Sequence, residues 1–365
     1  MNVLVVNAGS SSLKLARLDA GGAVTAATTV EAWQGEEHLE PLAAFLGSCG
    51  PVDAVGHRVV HGGPRYTGPV RVDDDVIGYL DSIAHLAPLH NPRAVGGIRS
   101  VGDLLPGVPT VACFDTTFHA TLPSAARTYA VPREWNERWG LRRYGFHGLS
   151  HAYAVRRAAE LAGRPLAALR TVSCHLGAGA SLAAVRDGVS VDTTMGFTPL
   201  AGLVMNTRPG TLDPGLLLWL LDQGAVPRDE LGEVLEHRSG LKGLSGTSGD
   251  LRDVLAGRAA GDAACALAFD VYLHRLARET AAMTAATGGL DLLVLTGGVG
   301  EHAWQVRAEL AAALAHLGLA LDDDLNRAAT ADADITASGA TTRTVVVTAR
   351  EDLEIRRQVL GVLAG

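Results

Sequence analysis

The feature that most constrains the fold of this chain is a hairpin pattern that occurs twice. VVNAGSSSLKLARLDAGG at residues 5–22 aligns with SCHLGAGASLAAVRDGVS at residues 173–190 to within one residue of offset. Each stretch predicts an apolar strand, a glycine-containing turn that brings bare backbone N–H groups close to a ligand, and a second strand. We therefore expect an internal duplication. A chain of 365 residues is also longer than a single hydrophobic core usually supports, so we expect two domains.

The composition indicates a folded protein that works on small molecules. Hydrophobic residues make up 47% of the chain and charged residues 19%, which argues against disorder. A formal charge of −8 argues against a nucleic-acid partner, which would require a basic face. The N-terminus lacks the basic region of a signal peptide, and no stretch reaches the length of a membrane span. We therefore expect a cytoplasmic protein with no membrane partner.

The four cysteines, Cys49, Cys113, Cys174 and Cys265, are widely separated and form no CxxC pair. This spacing suggests neither a zinc site nor a disulfide framework. Cys113 and Cys174 lie inside apolar segments, so we interpret them as small buried hydrophobic side chains.

Apolar strands recur along the chain, and a polar residue follows each of them. These residues are Asn7, Arg58, Asp115, His175, Thr296 and Glu351. Ligands in α/β folds bind at the carboxyl ends of strands, so we expect the side chains to converge on one cleft. Between the strands, the pattern predicts a loop that contains Trp135 and Trp139 and a long helix from about Ala259 to Thr287.

The first hairpin carries amide, hydroxyl and ammonium donors that suit phosphate oxygens, at Asn7, Ser10, Ser12 and Lys14. An ordinary polar turn explains these residues equally well. The P-loop pattern GxxxxGK[ST] is absent, so a Walker-type site is excluded.

Two arginines stand in glycine-rich segments that restrain a guanidinium, Arg58 in HRVVHGG and Arg208 in NTRPG. With nearby histidines and carboxylates they suit phosphoryl transfer, although either one alone also suits a surface ion pair. Asp115 suits Mg²⁺ as a hard oxygen ligand, or caps the segment that follows it. His147 lies between an aromatic residue and glycine, where a structural role is common.

GGVGEHA at residues 297–303 contains GxGxxA after a strand, which fits a dinucleotide-binding turn and an NAD-dependent oxidoreductase. Too little chain follows it to complete a dinucleotide fold. We therefore favour a nucleotide loop that serves adenosine.

Further segments complete a family pattern in chain order: NAGSSSLK, GHRVVHGG, APLHNP, FDTTFH, YGFHGLSH, CHLGAG, SVDTTMGFTPLAGLVMNTRPG, TGGVGEH and REDLEI. With these segments the chain resembles the acetokinase family of the acetate and sugar kinase, Hsc70 and actin superfamily. The resemblance implies an α/β fold of two domains with duplicated actin/Hsc70-like (ribonuclease H-like) cores around an interdomain cleft. It implies an N-terminal domain of residues 1–117 and 350–365, and a nucleotide-binding and dimerisation domain of residues 118–349.

The resemblance further implies reversible phosphoryl transfer from ATP to acetate, giving acetyl phosphate and ADP, with Mg²⁺ or Mn²⁺. The implied catalytic residues are Arg58, Asp115, His147 and Arg208. The implied acetate-binding residues are Arg58, Val60, Leu89, His90, Phe146 and Pro199. The implied nucleotide and phosphate residues are Asn7, Ser10, Ser12, Lys14, His175, Gly177, Gly179, Asp250, Leu251, Arg252, Gly298, Val299, Gly300 and Glu301. Asn7 and Glu351 are the implied metal residues, with Asp115 beside them.

The chain departs from the family pattern on the nucleotide side. Ala178 and His302 each replace an asparagine, Asn206 replaces a glycine, and Thr211 and Leu212 replace Gly-Asp. These changes leave the acyl and transfer residues intact and bear on the phosphoryl donor and the rate rather than on the reaction type. The alternatives are a propionate or butyrate kinase, a pyrophosphate-using relative, and a non-catalytic sensor of nucleotide or acyl phosphate. The resemblance also implies a homodimer formed through the C-terminal domain.

Overall fold

The computed structural model describes residues 1–9, 12–31, 33 and 39–365 of the chain. Ser10, one of the expected phosphate-binding residues, lies outside these ranges. The elements of the described residues are, in chain order, β1 (Val3–Ala8), β2 (Ser12–Leu18), β3 (Val24–Glu31), α1 (Leu39–Ser48), β4 (Ala54–Val59), β5 (Val70–Arg71), α2 (Asp74–Ser82), α3 (Asn91–Leu104), β6 (Thr110–Phe114), α4 (Ser124–Arg127), α5 (Arg133–Trp139), α6 (Gly148–Ala162), β7 (Thr171–Leu176), β8 (Ala180–Arg186), β9 (Val189–Thr193), α7 (Pro214–Asp222), α8 (Arg228–His237), α9 (Gly240–Ser245), α10 (Leu251–Ala259), α11 (Ala263–Thr287), β10 (Leu292–Thr296), α12 (Gly297–His302), α13 (Trp304–Ala313), α14 (Asp323–Ala328), β11 (Ala333–Asp334), β12 (Arg343–Val346) and α15 (Glu351–Ala364).

The chain divides into two compact units. Unit 1 contains Met1–Ala120, Phe146–Tyr153 and Arg350–Gly365, and unit 2 contains Thr121–Gly145 and Ala154–Ala349. Relative to the expected N-terminal domain, unit 1 also includes residues 118–120 and 146–153.

Unit 1 is built on a six-stranded mixed sheet in the order β3-β2-β1-β4-β6-β5. Alternate residues of β1 face opposite sides of this sheet. Leu4 and Val6 pack in a core with Leu42 of α1 and Val101 of α3. Val3 and Val5 pack in another core, against Leu149 of α6 and Ile355 and Val359 of α15. Because helices cover both faces, the central strands β1, β4 and β6 are mainly apolar, and their polar residues Asn7, His57 and Arg58 lie toward the ends of β1 and β4.

Unit 2 repeats this topology. Its six-stranded sheet, read as β9-β8-β7-β10-β12-β11, has the same order and the same sequence of antiparallel and parallel pairs as the sheet of unit 1. The first hairpin, β1–β2, therefore corresponds to β7–β8, which are the two stretches that resemble each other in sequence. The expected duplication of the core is confirmed.

Local structure differs from the expectation at two helices. Trp135 and Trp139 lie on a helix, α5, rather than in a loop, and their ring centroids are 5.9 Å apart. Residues four apart are neighbours on a helix, so this pair itself supports the helical turn. The long helix begins at Ala263 rather than at Ala259, because the Asp262 side chain accepts a hydrogen bond from the Cys265 N–H and caps it.

All four cysteines are buried free thiols. Burial raises the pKa of Cys174 to about 12 and also raises that of Cys113, so both remain protonated, as expected for structural cysteines. Within the described ranges, no helix has the length and apolar character needed to cross a membrane.

Candidate active site

The centre of the candidate site in unit 1 is a pair formed by Arg58 and Asp115. Arg58 lies at the end of β4, and Asp115 follows the adjacent parallel strand, β6. The guanidinium donates from Nη2 to Asp115 Oδ2 at 2.6 Å and from Nε to Oδ1 at 3.1 Å. The Asp115 side chain is 1% exposed and the Arg58 side chain 17%. A bidentate pair of this kind fixes the plane of the guanidinium as well as its position.

The charges of this pair depend on its surroundings. Burial alone would lower the pKa of Arg58, but the carboxylates of Asp115 and Glu351 outweigh it and raise that pKa, so the guanidinium stays charged. Burial raises the pKa of Asp115, and the Arg58 guanidinium opposes that rise. Burial lowers the pKa of the neighbouring His57 to about 3, so this imidazole is neutral at physiological pH.

His147 is held next to Asp115 by its backbone. Its N–H donates to the Asp115 carboxylate, and its φ of 56° is in the left-handed region that residues other than glycine rarely adopt. The following residue, Gly148, donates its N–H to the Asp115 carbonyl at 2.9 Å, and an added Cβ there would lie 2.1 Å from that oxygen. The segment therefore needs glycine in order to approach β6 closely enough.

Asn7 and Glu351 complete the unit 1 cluster on the side of Arg58 Nη1. Asn7, the register partner of Arg58 on β1, accepts from Nη1 at 3.2 Å and donates to Glu351 Oε2 at 3.4 Å. The same Glu351 oxygen lies 3.8 Å from Nη1. Glu351 is the first residue of α15, which begins beyond the end of β12.

The donor set fits Mg²⁺ held mainly by substrate phosphates. Glu351 offers a hard carboxylate oxygen, and its side chain is 17% exposed; the amide oxygen of Asn7 lies beside it and accepts one hydrogen bond from Arg58 Nη1. Mg²⁺ commonly takes one or two protein oxygens and keeps waters and phosphates for its other positions. Asp115 is less suited, because both of its oxygens already accept from Arg58.

Of the expected acetate-pocket residues, those in unit 1 are Val60, Leu89, His90 and Phe146, and Pro199 belongs to unit 2. Val60 and Phe146 are buried, and the Phe146 ring makes an edge contact with His61 at a centroid distance of 5.6 Å. Leu89 is 40% exposed, and His90 is the residue before α3. On the first hairpin, Lys14 is the register partner of Asn7 and so lies on the same face, while Ser12 begins β2.

Unit 2 contains a cavity of about 740 Å³. The expected nucleotide residues that line it are Gly177, Asp250, Leu251, Arg252, Gly298 and Val299. Three positions that depart from the family pattern, Ala178, Asn206 and His302, also line it. Its volume is in the range of small-molecule and cofactor sites.

The other expected nucleotide residues of unit 2, His175, Gly179, Gly300 and Glu301, are not among those that line this cavity. His175 is the register partner of Thr296 at the ends of β7 and β10, and Gly179 accepts a hydrogen bond from the Gly177 N–H. The segment expected to be a nucleotide loop is the short helix α12, because its residues continue directly from β10 into helical turns. The buried Arg307 donates to the carbonyls of Gly300 and Glu301 and so supports α12.

Sequence reasoning missed part of the cavity wall. The missed residues are Leu255, Ala256, Ala259, Ala303, Trp304 and Gln305. Trp304 stands out because the Arg327 guanidinium lies 4.5 Å from its ring centroid. Arg327 itself is not among the residues that line the cavity. A tryptophan directly after the GGVGEHA segment was the available signal.

Asp250 and Arg252 form a local pair at the start of α10. Asp250 accepts from the Arg252 backbone N–H at 2.8 Å and from its Nη2 at 2.7 Å. The Arg252 hydrogen bond lowers the pKa of Asp250 to about 2, so the carboxylate remains ionised in the cavity wall.

Arg208 lies in the same unit as the cavity. Its Nε donates to Glu236 Oε2 of α8 at 2.6 Å, and the two side chains are 20% and 22% exposed. Arg208 is thus held by a carboxylate, as Arg58 is, but through a single nitrogen and nearer to solvent.

Comparisons with known proteins identify the family. The model of the acetokinase family matches residues 38–357. An acetate kinase from Synechococcus sp. (strain JA-2-3B'a(2-13)) is 48% identical, over 91% of this chain and 81% of that protein. The crystal structure of Porphyromonas gingivalis acetate kinase has a TM-score of 0.93 and 33% identity over 99% of both chains. A propionate kinase from Francisella tularensis subsp. tularensis SCHU S4 has a TM-score of 0.91 and 33% identity, also over 99% of both chains.

These matches confirm the α/β fold with two duplicated sheet cores and leave no support for the dinucleotide-fold interpretation. They extend over nearly the whole chain, including the segments that contain Arg58, Asp115, His147 and Arg208. The chain belongs to the acetokinase family.

Proposed function

We propose that this chain is an acetate kinase, which reversibly transfers the γ-phosphoryl group of ATP to acetate and forms acetyl phosphate and ADP. An acetate oxygen attacks the γ-phosphorus while the bond from that phosphorus to the departing oxygen of ADP breaks in line. Acetate is already ionised at neutral pH, so the protein contributes positioning and charge neutralisation rather than a base.

The observation that carries this proposal is the anchored guanidinium of Arg58. Asp115 holds it through Nε and Nη2, and Nη1 is directed to Asn7 and Glu351. A fixed cation suits an anionic acceptor and a transferring phosphoryl group. In our proposal Arg58 binds the acetate carboxylate, Asp115 orients Arg58, and His147 and Arg208 stabilise the oxygens of the transferring group.

We propose that Glu351 and Asn7 help to hold Mg²⁺. The ion would neutralise phosphate charge as the bond to ADP breaks. The same unit would contribute Ser12 and Lys14 on the phosphate side.

The direct test uses purified protein in both directions. Acetyl phosphate formed from ATP and acetate is trapped as the hydroxamate, and ATP formed from acetyl phosphate and ADP is measured by a coupled assay. Failure to form either product would refute the proposal, and ATP binding without turnover would favour a sensor.

Propionate is the second candidate acceptor. The chain is as similar to the propionate kinase as to the Porphyromonas acetate kinase, at 33% identity each, and Leu89 is 40% exposed. One added methylene changes binding by about 1–3 kcal/mol, so discrimination between these acids should be modest. Values of kcat/KM for acetate, propionate and butyrate decide which acid is preferred.

Nucleotide use depends on the cavity of unit 2, and Trp304 tests it. We expect Trp304→Ala to raise the KM for ATP about tenfold and to leave the KM for acetate unchanged, because the indole stacks on the base. Trp135→Ala is the matched control, since Trp135 is an exposed tryptophan of the same unit outside this cavity. A second assay replaces ATP with pyrophosphate, a phosphoryl donor that has no base. If wild type and Trp304→Ala are equally active with pyrophosphate, the result would instead indicate that the donor needs no base.

Metal removal should stop the reaction. We expect EDTA to lower turnover by about 100-fold or more, and Mg²⁺ or Mn²⁺ to restore it. Glu351→Gln should raise the Mg²⁺ concentration for half-maximal activity about tenfold, because a charged ligand is lost. The exposed Glu40 of unit 1 provides the control Glu40→Gln. An unchanged Mg²⁺ dependence in Glu351→Gln would remove Glu351 from the metal site.

We also propose a homodimer that uses α7 of unit 2. This helix has no buried residue, and its exposed apolar side chains include Leu216, Leu218 and Trp219. An apolar surface of this kind is typical of a protein–protein contact.

We also propose a cytoplasmic location. The ATP substrate and the four buried free cysteines support a reducing compartment of this kind.

Leu218→Glu should convert the dimer to a monomer, because it buries an unpaired charge in the contact. Sedimentation velocity of wild type and variant measures the change. Val24→Glu, at an exposed apolar position of unit 1, is expected to remain dimeric. A wild-type monomer, or a dimeric Leu218→Glu protein, would contradict the assignment of this helix.

A further inference from the structure

Glu236 of α8 holds Arg208 by one hydrogen bond and the preceding residue, Thr207, by another. The Glu236 carboxylate accepts from Arg208 Nε at 2.6 Å, and the Glu236 carbonyl accepts from Thr207 Oγ1 at 2.7 Å. The Thr207 carbonyl in turn accepts from the Ser239 N–H at 2.9 Å. The end of α8 therefore holds both the backbone before Arg208 and its side chain.

The backbone around Arg208 is also tightly packed. Met205 N–H donates to the Arg208 carbonyl at 3.0 Å and closes a turn over these residues. Gly240, with a φ of 63°, approaches this turn so closely that an added Cβ would lie 2.6 Å from the Arg208 carbonyl oxygen. The Cα of Arg208 is thus well defined, and its side-chain direction is the freedom that remains.

The hydrogen bond to Glu236 fixes the direction of the Arg208 side chain at Nε, the guanidinium nitrogen nearest the backbone. Only Nε is used, and Nη1 and Nη2 of Arg208 have no hydrogen-bond partner in the part of the chain that the structure describes. Arg58 differs, because each of its three nitrogens already donates to Asp115 or Asn7, which leaves one N–H group on Nη1 and one on Nη2 for a ligand. Two parallel N–H groups on a fixed guanidinium match the geometry of a phosphoryl or carboxylate group.

The same carboxylate has an electrostatic cost. A negative charge beside Arg208 reduces the attraction of this arginine for an anion, more strongly in a partly buried position than in water. Both side chains are about one fifth exposed. Glu236 therefore weakens ground-state anion binding while it orients the group that would act in the transition state.

We propose that Glu236 is a positioning residue for Arg208, which holds Nε so that the two terminal nitrogens face the transferring phosphoryl group. The inference rests on the proposed function, since the role of Arg208 in the transfer is part of it. It assigns to α8, a surface helix with no expected site residue, a main effect on kcat through orientation and a smaller electrostatic effect on substrate affinity.

Glu236→Ala should lower kcat about 10- to 100-fold with less than about a threefold change in the KM for acetate, since a misdirected guanidinium loses orientation but keeps its charge. Glu236→Gln keeps an oxygen acceptor for Nε and removes the charge. It should retain kcat within about threefold of wild type and lower the KM of the anionic substrates. Glu233→Ala, an exposed carboxylate of the same helix, should behave as wild type.

A double-mutant cycle separates positioning from a structural role. In an Arg208→Lys background, which has no Nε, Glu236→Ala should change kcat by less than about twofold. An equal loss in both backgrounds, wild-type kinetics of Glu236→Ala, or a Glu236→Gln protein as slow as Glu236→Ala would each overturn the inference. Wild-type protein that forms no acetyl phosphate would overturn the proposed function and this inference with it. Active wild type with an unaffected Glu236→Ala variant would overturn the inference alone.

Discussion

Arg58→Ala is expected to lower kcat about 1000-fold and to destabilise the fold at the same time. The activity falls because the variant loses a fixed cation at the site of charge development. The stability falls by about 3–5 kcal/mol, because Asp115 is 1% exposed and is left as a buried carboxylate without its partner. Steady-state kinetics and urea unfolding measure the two effects separately.

The stability of the Arg58→Ala variant should also depend on pH. Burial raises the pKa of Asp115 above 3.8, and Arg58 is the group that opposes this rise. Without Arg58, the folded variant binds a proton at Asp115 more readily than the unfolded chain does, so its stability falls as pH rises between the two pKa values. Relative to wild type, Arg58→Ala should therefore be less destabilised at pH 5 than at pH 7.

Two controls isolate these effects. Adding Asp115→Asn to Arg58→Ala should recover much of the stability and none of the activity, because the buried charge is gone and the cation is still missing. Arg65→Ala breaks an exposed pair with Asp75, whose side chains are 46% and 69% exposed, and should change stability by about 0–1 kcal/mol. Near-wild-type kcat in Arg58→Ala would refute the catalytic role of Arg58.

Arg208→Ala is expected to abolish turnover while the fold remains intact. We expect kcat to fall about 1000-fold, as for the loss of a cation that stabilises the transferring group. The unfolding free energy should change by only about 0–1 kcal/mol, because the pair with Glu236 is partly exposed and screened by solvent and salt. The contrast with Arg58 follows from the burial of the partner carboxylate, because the side chain of Asp115 is 1% exposed and that of Glu236 is 22% exposed.

The matched control for Arg208 is Arg343→Ala. Arg343 also uses Nε to hold a partly exposed carboxylate of unit 2, that of Asp334 at 2.5 Å. Its loss should have a similarly small effect on stability and none on kcat. An Arg208→Ala protein with near-wild-type turnover would refute its role, and one that is strongly destabilised would contradict the weak contribution expected of this pair.

The sequence was most informative about polar residues that lie at or directly after the end of a strand. Asn7 and Arg58 are register partners on adjacent parallel strands, and Asp115 follows the next strand. Parallel strands that end at one sheet edge bring such residues together, so their clustering could be predicted. Glu351 joins the cluster from the start of α15, beyond the end of β12, so its place beside Arg58 depends on how this helix packs.

Contacts between segments that are far apart in the chain could not be predicted from the sequence. Glu236 lies on a surface helix with no distinguishing pattern, and for Trp304 the only local signal is its place directly after GGVGEHA. Their importance comes from a 2.6 Å bond to Arg208 and from a place in a cavity wall. Neither can be read from local periodicity, because both depend on which loop each helix meets.

The sequence by itself determined the duplicated core, the family and most of the polar residues of the site, because strand periodicity and the order of motifs are local properties of the chain. Only the tertiary structure decided which carboxylate holds which arginine and how deeply each pair is buried. Asp115 and Glu236 are both acidic residues far along the chain from their partners, yet their side chains are 1% and 22% exposed. That difference arises from packing, and it decides whether losing the arginine costs stability as well as activity.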